Sequence, residues 1–377
     1  MNIQVPFAFR SPDYQTSAAS FRLSDSLTSR LLIPKDLGYY FPAEFAKHEA
    51  TWLSWPHKEA SWPGKIDAIY APYAEFIQYL SFSEKVRINV NDESMKNFAL
   101  SHIQKTGADL KNIQFFINPT NDAWCRDHGP AFLLNKKIRN KKAIIDWDYN
   151  AWGNKYPPFD LDDYIPTLIG QHYNLLVFYP DIIMEGGAVE FNGAGTLLTS
   201  TACLLNKNRN PKLNQAQIEQ YLMNYYGVEQ ILWVDEGIIG DDTDGHIDDT
   251  VRFVNEDTVI AVVEENKNDD NYQPLQNNLK QLKKMRLISG RQLNIIELPM
   301  PDAVVYDGQR LPASYANFYI CNEYVIVPTF QSKQDDKALQ IIQSAFKDRD
   351  VIGIDSTEII WGLGSFHCLS QQEPATL

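Results

Sequence analysis

The stretch IDAIYAPYAEFIQYLSFSEKVRINV, residues 66–90, decides the fold class. From Ile66 to Phe82 its apolar residues recur at helical spacing, and Val86–Val90 is a β-branched run of strand length. A second strand-like run, Ile113–Ile117, follows. The alternation continues outward from there. Ala143–Trp147, Leu175–Tyr179, Thr196–Thr199, Ile231–Val234, Val259–Val263, Leu293–Leu298, Tyr324–Val327 and Val351–Ile354 are short apolar runs, mostly bounded by Pro, Gly, Asn or Asp. Leu213–Tyr226, Tyr272–Met285 and Asp335–Phe346 carry helical periodicity. Strands alternating with helices predict an α/β architecture. The polar stretch Glu264–Asn271 is too short for a linker and reads as a solvated loop entering a helix. Residues 1–40, rich in Ser and weakly periodic, are expected to form an N-terminal arm or irregular lead-in, and residues 41–377 a single domain. No clean repeat is visible in the sequence.

The composition is that of an ordinary globular protein, with 44% hydrophobic and 22% charged residues. A formal net charge of -14 argues against nucleic acid, which needs a clustered basic surface. It suits a small cation, although acidity also serves plain solubility. The four cysteines, Cys125, Cys203, Cys321 and Cys368, are widely spaced and form no CxxC pair. They read as reduced thiols, and no Cys/His spacing matches a zinc site. The N-terminus lacks the basic start and apolar core of an export signal, and no apolar run approaches the ~18 residues needed to span a bilayer. A cytoplasmic protein with no membrane association is expected.

Five segments are strings of special residues rather than core patterns. They are Asn121–Pro130 (NDAWCRDHGP), Met184–Glu190 (MEGGAVE), Asp241–Asp249 (DDTDGHIDD), Leu311–Tyr319 (LPASYANFY) and Gly362–Cys368 (GLGSFHC). The first lies at a strand end, before the run Ala131–Leu134. A thiolate is a strong nucleophile when its pKa is lowered. Histidine shuttles protons near neutral pH, and paired carboxylates clamp a planar cation through bidentate, charge-assisted hydrogen bonds. Cys, His and two Asp in one pocket would therefore suit attack on the central carbon of a guanidinium. Plainer readings stand beside this one. Cys368 could be an inert buried thiol in a glycine turn, and His246 a satisfied polar residue. Asp241–Asp244 could be a solvated face or a cation loop, though without the closing Glu of an EF-hand. Asp127 could simply pair with Arg126.

The ordered motifs extend these segments. They include Ala50–Pro56 (ATWLSWP), Trp124–Pro130, Asn150–Gly153 (NAWG), Glu185-Gly186-Gly187 and Cys203–Asn210 (CLLNKNRN). Thr243–Asp248, Ala313–Tyr319 and His367–Gln372 (HCLSQQ) complete the set. From about Phe41 to its end the chain resembles the agmatine deiminase family, grouped with the bacterial-type peptidylarginine deiminases in the guanidine-modifying superfamily. The resemblance implies a pentein fold, a pseudo-symmetric α/β propeller of five ββαβ-type units around one active site. It implies Cys368 as nucleophile, His246 as general acid and base, and Asp127 and Asp248 as the carboxylates that grip the guanidinium. Glu185 and Asn317 would support the site, and Trp124 would contribute a pocket wall.

The implied reaction is hydrolysis of a guanidinium through a covalent Cys-thiouronium, with agmatine as first substrate and putrescine synthesis as its setting. Alternatives are a deiminase of free or peptide-bound arginine, an amidinotransferase, and a non-catalytic guanidinium-binding protein. No metal or organic cofactor is implied, and a homodimer is compatible. The chain departs from the family where many members read Gly-Gly-Gly-Asn-Ile-His-Cys and it reads Gly-Leu-Gly-Ser-Phe-His-Cys, and after His246, where Ile-Asp-Asp-Thr replaces Val-Asp-Asn-Phe. These departures bear on the substrate pocket and leave the catalytic set intact.

Overall fold

One local plan recurs five times in the computed structural model, which describes residues 33–376. A short strand turns back antiparallel into a second strand, and a helical crossover then leads to a third strand parallel to the second. Such a parallel crossover needs the length that a helix supplies. The first complete unit is Ala131–Asn135 and Lys142–Ile145, the helix Ile165–Tyr173, and Leu176–Phe178. The second is Val189–Phe191 and Thr196–Ser200, the helix Gln215–Tyr226, and Gln230–Val234. The third is Val251–Phe253 and Thr258–Val263, the helix Tyr272–Leu282, and Asn294–Pro299. The fourth is Tyr319–Ile320 and Tyr324–Thr329, the helix Asp335–Ala345, and Asp350–Asp355.

The fifth unit is assembled from both ends of the described chain. Ser370–Pro374 pairs antiparallel with His48–Ser54, which runs through the helix Ile66–Ser83 to the parallel strand Lys85–Val90. A further helix, Glu93–Ile103, leads to an added parallel strand, Ile113–Ile117. The helix Ile66–Ser83 buries Ile69, Tyr73, Phe76, Ile77 and Leu80, the stripe that its periodicity requires. Asn214 starts the second unit's helix with a reciprocal capping box to Gln217. The five units that the family resemblance implies are thus present, although the sequence shows no repeat.

The four expected helices and the expected strands all appear, with ends shifted by a few residues. The sequence reading passed over the short opening strand of most units and the helices Glu93–Ile103 and Ile165–Tyr173. The opening strands hide because their buried side chains are often charged or amide-bearing: Glu190, Arg252, Gln371, Gln372 and Glu373. A rule that seeks apolar alternation cannot see them. Within the expected lead-in, Tyr39–Tyr40 pairs with Leu134 and Asn135, and the compact body begins at Ile33. Residues 1–32, the rest of that lead-in, lie outside the described residues. No helix among the described residues is long and apolar enough to cross a membrane.

Candidate active site

Each of the five units delivers one segment to the same place, always just before its opening strand. Asp127 precedes Ala131–Asn135, and Glu185 precedes Val189–Phe191. His246 and Asp248 precede Val251–Phe253, Asn317 precedes Tyr319–Ile320, and Cys368 precedes Ser370–Pro374. These five were the special-residue segments of the sequence. The repeated plan explains why residues so far apart in the chain converge.

Gly187 lies where three of the side chains meet. A Cβ at this position would stand 2.5 Å from His246 Nδ1 and 3.0 Å from both Asp127 Oδ1 and Asp248 Oδ2. Only glycine fits that approach. The Gly187 N–H donates to Asp127 Oδ1 at 2.9 Å, and the Trp152 indole N–H donates to Asp127 Oδ2 at 2.9 Å. Trp152 reaches this position through left-handed backbone at Ala151 (φ 48°) and Trp152 (φ 54°), strain of the kind that collects at functional sites. His246 Nδ1 is 3.8 Å from Asp127 Oδ1, and its Nε2 is 3.6 Å from Glu185 Oε2. Arg209 Nε fixes Glu185 from behind at 2.5 Å.

The turn that carries His246 is built by Asp241. Its Oδ2 accepts from the N–H groups of Gly245 (2.9 Å) and His246 (3.1 Å), and its Oδ1 accepts from the Thr243 N–H (2.7 Å). Asp244 is engaged with Arg209 and Asn208. The acidic run is therefore a turn-former, neither a solvated face nor a cation loop. Nor does Asp127 pair with Arg126, whose guanidinium turns to Glu44 at 3.0 Å.

Cys368 faces this group. Its Sγ is 3.6 Å from Asp248 Oδ2 and accepts from the Asn317 amide at 3.0 Å, while its own N–H donates to Asn317 Oδ1 at 3.2 Å. Asn317 Nδ2 also donates to Asp249 Oδ1 at 2.9 Å. Trp124 stacks on Trp62 and closes over Gly364, where a Cβ would meet its ring at 2.6 Å. A cleft of about 190 Å³ leads from Cys368 and Asp127 to the surface, walled by Trp124, Trp152, Tyr156, Trp361 and Leu363. Leu363 holds left-handed backbone (φ 70°) where the family pattern has glycine.

The site is strongly anionic. Burial, reinforced by Asp248, Asp249 and Asp127, pushes the Cys368 thiol well above its ordinary pKa, and only the Asn317 hydrogen bond opposes this. Burial also raises Asp127, with Asp248 and Glu185 adding to the rise. For His246 burial works against charge, yet Asp127, the hydrogen bonds of Cys203 and Glu185, and the Cys203 charge raise it well above its usual value. Burial would raise Asp248, but its hydrogen bond to His367, together with nearby positive charge, holds it low. Both ring nitrogens of His246 and Asp248 Oδ1 are buried without a hydrogen-bond partner among the described residues. The open Asp248 Oδ1 can accept from a cation rich in N–H donors.

Glu185, Cys203 and His246 bring potential metal-ligand atoms within 4.8 Å of one another. Arg209, at 2.5 Å from Glu185, already supplies positive charge there, so the trio reads as a packed wall behind His246. The geometry brings together all seven residues singled out in the sequence: Cys368, His246, Asp127, Asp248, Glu185, Asn317 and Trp124. Sequence reasoning missed the roles of Trp152, Arg209, Asp249, His367 and Glu44. All but Glu44 lie in or next to the motifs quoted above, whereas Glu44 carries no signal beyond its place near the start of the resemblance.

Comparison with known proteins shows the family. The model of the Porphyromonas-type peptidyl-arginine deiminases matches residues 40–374. A Legionella pneumophila protein provisionally named an agmatine deiminase is 36% identical over 346 residues, covering 90% of this chain and 96% of its own length. An Enterococcus faecalis agmatine deiminase, solved catalysing its reaction, superposes with a TM-score of 0.85 at 30% identity, over 91% of this chain and 97% of its own. An agmatine deiminase of C. jejuni, solved with substrate bound, gives a TM-score of 0.82 at 33% identity, over 90% and 97%. An amidinotransferase of Microseira wollei shares the fold alone, with a TM-score of 0.52 at 13% identity. The five-unit arrangement is the pentein fold.

Proposed function

The chain belongs to the Porphyromonas-type peptidyl-arginine deiminase family, and from that premise we propose that it hydrolyses agmatine to N-carbamoylputrescine and ammonia. The observation that carries this reading is the convergence of Asp127, Asp248 and His246 around Gly187, with Cys368 Sγ 3.6 Å from Asp248. A guanidinium placed there donates to Asp127 and to the unpartnered Asp248 Oδ1. Its positive charge offsets the carboxylates that oppose ionisation of Cys368, so the thiolate forms with substrate in place. The thiolate attacks the central carbon. His246, whose surroundings favour its protonated form, gives a proton to the departing nitrogen, and ammonia leaves. The neutral imidazole then takes a proton from water, which attacks the thiouronium carbon, releasing the ureido product and the thiolate.

The far end of the cleft favours agmatine over arginine. Among the described residues no Lys or Arg lines it directly, and the nearby Lys58 and Lys155 are engaged by Asp122 (3.4 Å) and Asp242 (3.2 Å), so an arginine carboxylate would have to compete for its cationic partner. The aromatic walls of Trp124, Trp152, Tyr156 and Trp361 suit an aliphatic ammonium chain. Purified protein is expected to release ammonia from agmatine, and Cys368→Ala to release none. The ratio of kcat/KM for agmatine to that for arginine or a short Arg peptide tests the substrate. A clear preference for the peptide would replace agmatine in this reading. Ureido product that forms only with an added amine acceptor absent, and amidino transfer when one is present, would point to a transferase instead.

A further inference from the structure

The residue before the nucleophile stands in a position that the reaction scheme leaves unused. His367 is buried between two carboxylates: Nδ1 lies 2.6 Å from Asp248 Oδ2, and Nε2 lies 2.7 Å from Glu44 Oε2. A neutral imidazole has one donor and one acceptor nitrogen, and an ionised carboxylate only accepts. Two such contacts to two ionised carboxylates therefore require a proton on each nitrogen.

The surrounding charges point the same way. Glu44 receives Arg126 at 3.0 Å and Arg252 at 2.9 Å, and Arg252 Nε also donates to Glu190 at 3.0 Å. Glu44, Glu190 and Asp248 are three carboxylates against the two guanidinium groups of Arg126 and Arg252. A positive charge on His367, which hydrogen-bonds two of the three carboxylates, balances the cluster. Buried charges are tolerable only when paired and hydrogen-bonded.

We propose that His367 is a doubly protonated imidazolium that positions Asp248, turning Oδ1 toward the guanidinium while Oδ2 is held. This rests on the reading of the site as a guanidinium hydrolase. Asp248 hydrogen-bonds His367 through Oδ2, and its buried Oδ1 has no partner among the described residues. His367 and the Cys368 thiol (3.6 Å) thus share Oδ2, which leaves Oδ1 as the oxygen with its acceptor capacity open. His367 also links the nucleophile's strand, Ser370–Pro374, to the charged cluster beneath the third and fourth units, because Arg252 additionally donates to the carbonyls of Ala316 and Phe318.

Two measurements test the proposal. In Cys368→Ala protein labelled with ¹⁵N-histidine, both ring nitrogens of His367 should carry protons at neutral pH, the signal being assigned by its loss in a His367→Gln double variant. An unprotonated ring nitrogen at His367 would overturn the proposal, and this observation needs no turnover. His367→Gln keeps a donor on one side only. Relative to a folded control, it should weaken agmatine binding to the Cys368→Ala protein by roughly tenfold or more, as loss of a charge-assisted hydrogen bond implies. In the otherwise wild-type enzyme it should raise KM more than it lowers kcat. Unchanged agmatine affinity would reject the positioning role. Ammonia assays on the wild-type enzyme report separately on the hydrolase reading, which could fail while the protonation result stands.

Discussion

Among the described residues Cys368 has carboxylates around it and no cationic side chain in hydrogen-bond contact, and its thiol is pushed well above its ordinary pKa by burial and by Asp248, Asp249 and Asp127. The free protein should therefore react with neutral iodoacetamide slowly at neutral pH and faster as pH rises. A small bound guanidinium compound that leaves the sulfur open adds positive charge, which favours the thiolate and shifts the inactivation profile to lower pH. An identical profile in both conditions, already flat near neutrality, would instead indicate a preformed thiolate–imidazolium pair. The pH–rate curve should be bell-shaped, with limbs that belong to the coupled Cys368 and His246. At the same scale, Trp152→Phe removes the 2.9 Å bond to Asp127. It should raise KM for agmatine several-fold, of the order that one lost hydrogen bond to a charged group gives. An unchanged KM would show that Asp127 holds its place without the indole. Single residues were the most legible part of this protein. Cys368, His246, Asp127 and Asp248 stand out through the family motifs that hold them, since their types alone also allow an inert thiol, a satisfied histidine and a plain ion pair. Glu44 does not, because its partners, Arg126, Arg252 and His367, come from distant segments and are visible only in space.

At the scale of elements, function depends on the turns that precede the opening strands. The Asp241 carboxylate holds three successive corners of the turn that presents His246. Asp241→Ala should lower kcat/KM by about ten- to a hundredfold, since small misplacements of a proton-transfer group are costly, while global stability falls far less. A variant with a wild-type rate would mean that the strand Val251–Phe253 alone positions the histidine. Apart from His48–Ser54, which was read only as part of a motif, the second and third strands and four of the helices were readable because each buries an apolar face with a regular period. Apart from Ala131–Asn135, the opening strands were not, being as short as Tyr319–Ile320 or as polar as Ser370–Pro374. Their side chains face a charged interior in which Arg252 is completely buried. The five-fold plan was hidden for the same reason, since the part repeated most faithfully is the part with the least hydrophobic signal.

For the whole molecule, the pairing of Ser370–Pro374 with His48–Ser54 makes the C-terminal strand structural as well as a support for the catalytic residues. Glu373, in the final strand, pairs with Arg87 and with Lys142 (2.7 Å), and accepts from the Trp52 indole at 2.9 Å. Glu373→Ala leaves buried positive charge uncompensated and should destabilise the protein by roughly 3–5 kcal/mol in denaturant unfolding. A loss within experimental error would show that the C-terminal strand adds little to the fold. Because that strand follows Cys368 directly, the same pairing fixes the nucleophile opposite His246 and the two aspartates. The central claim is that this assembled site cuts a guanidinium through a covalent bond to Cys368. The most direct measurement is acid-quenched mass spectrometry of the protein during turnover of agmatine, with the peptide map read for an adduct. The expected result is an amidino adduct of agmatine on the peptide that contains Cys368, formed as ammonia is released and absent in Cys368→Ser. Ammonia release with no adduct on Cys368, or with an adduct on another residue, would contradict the account.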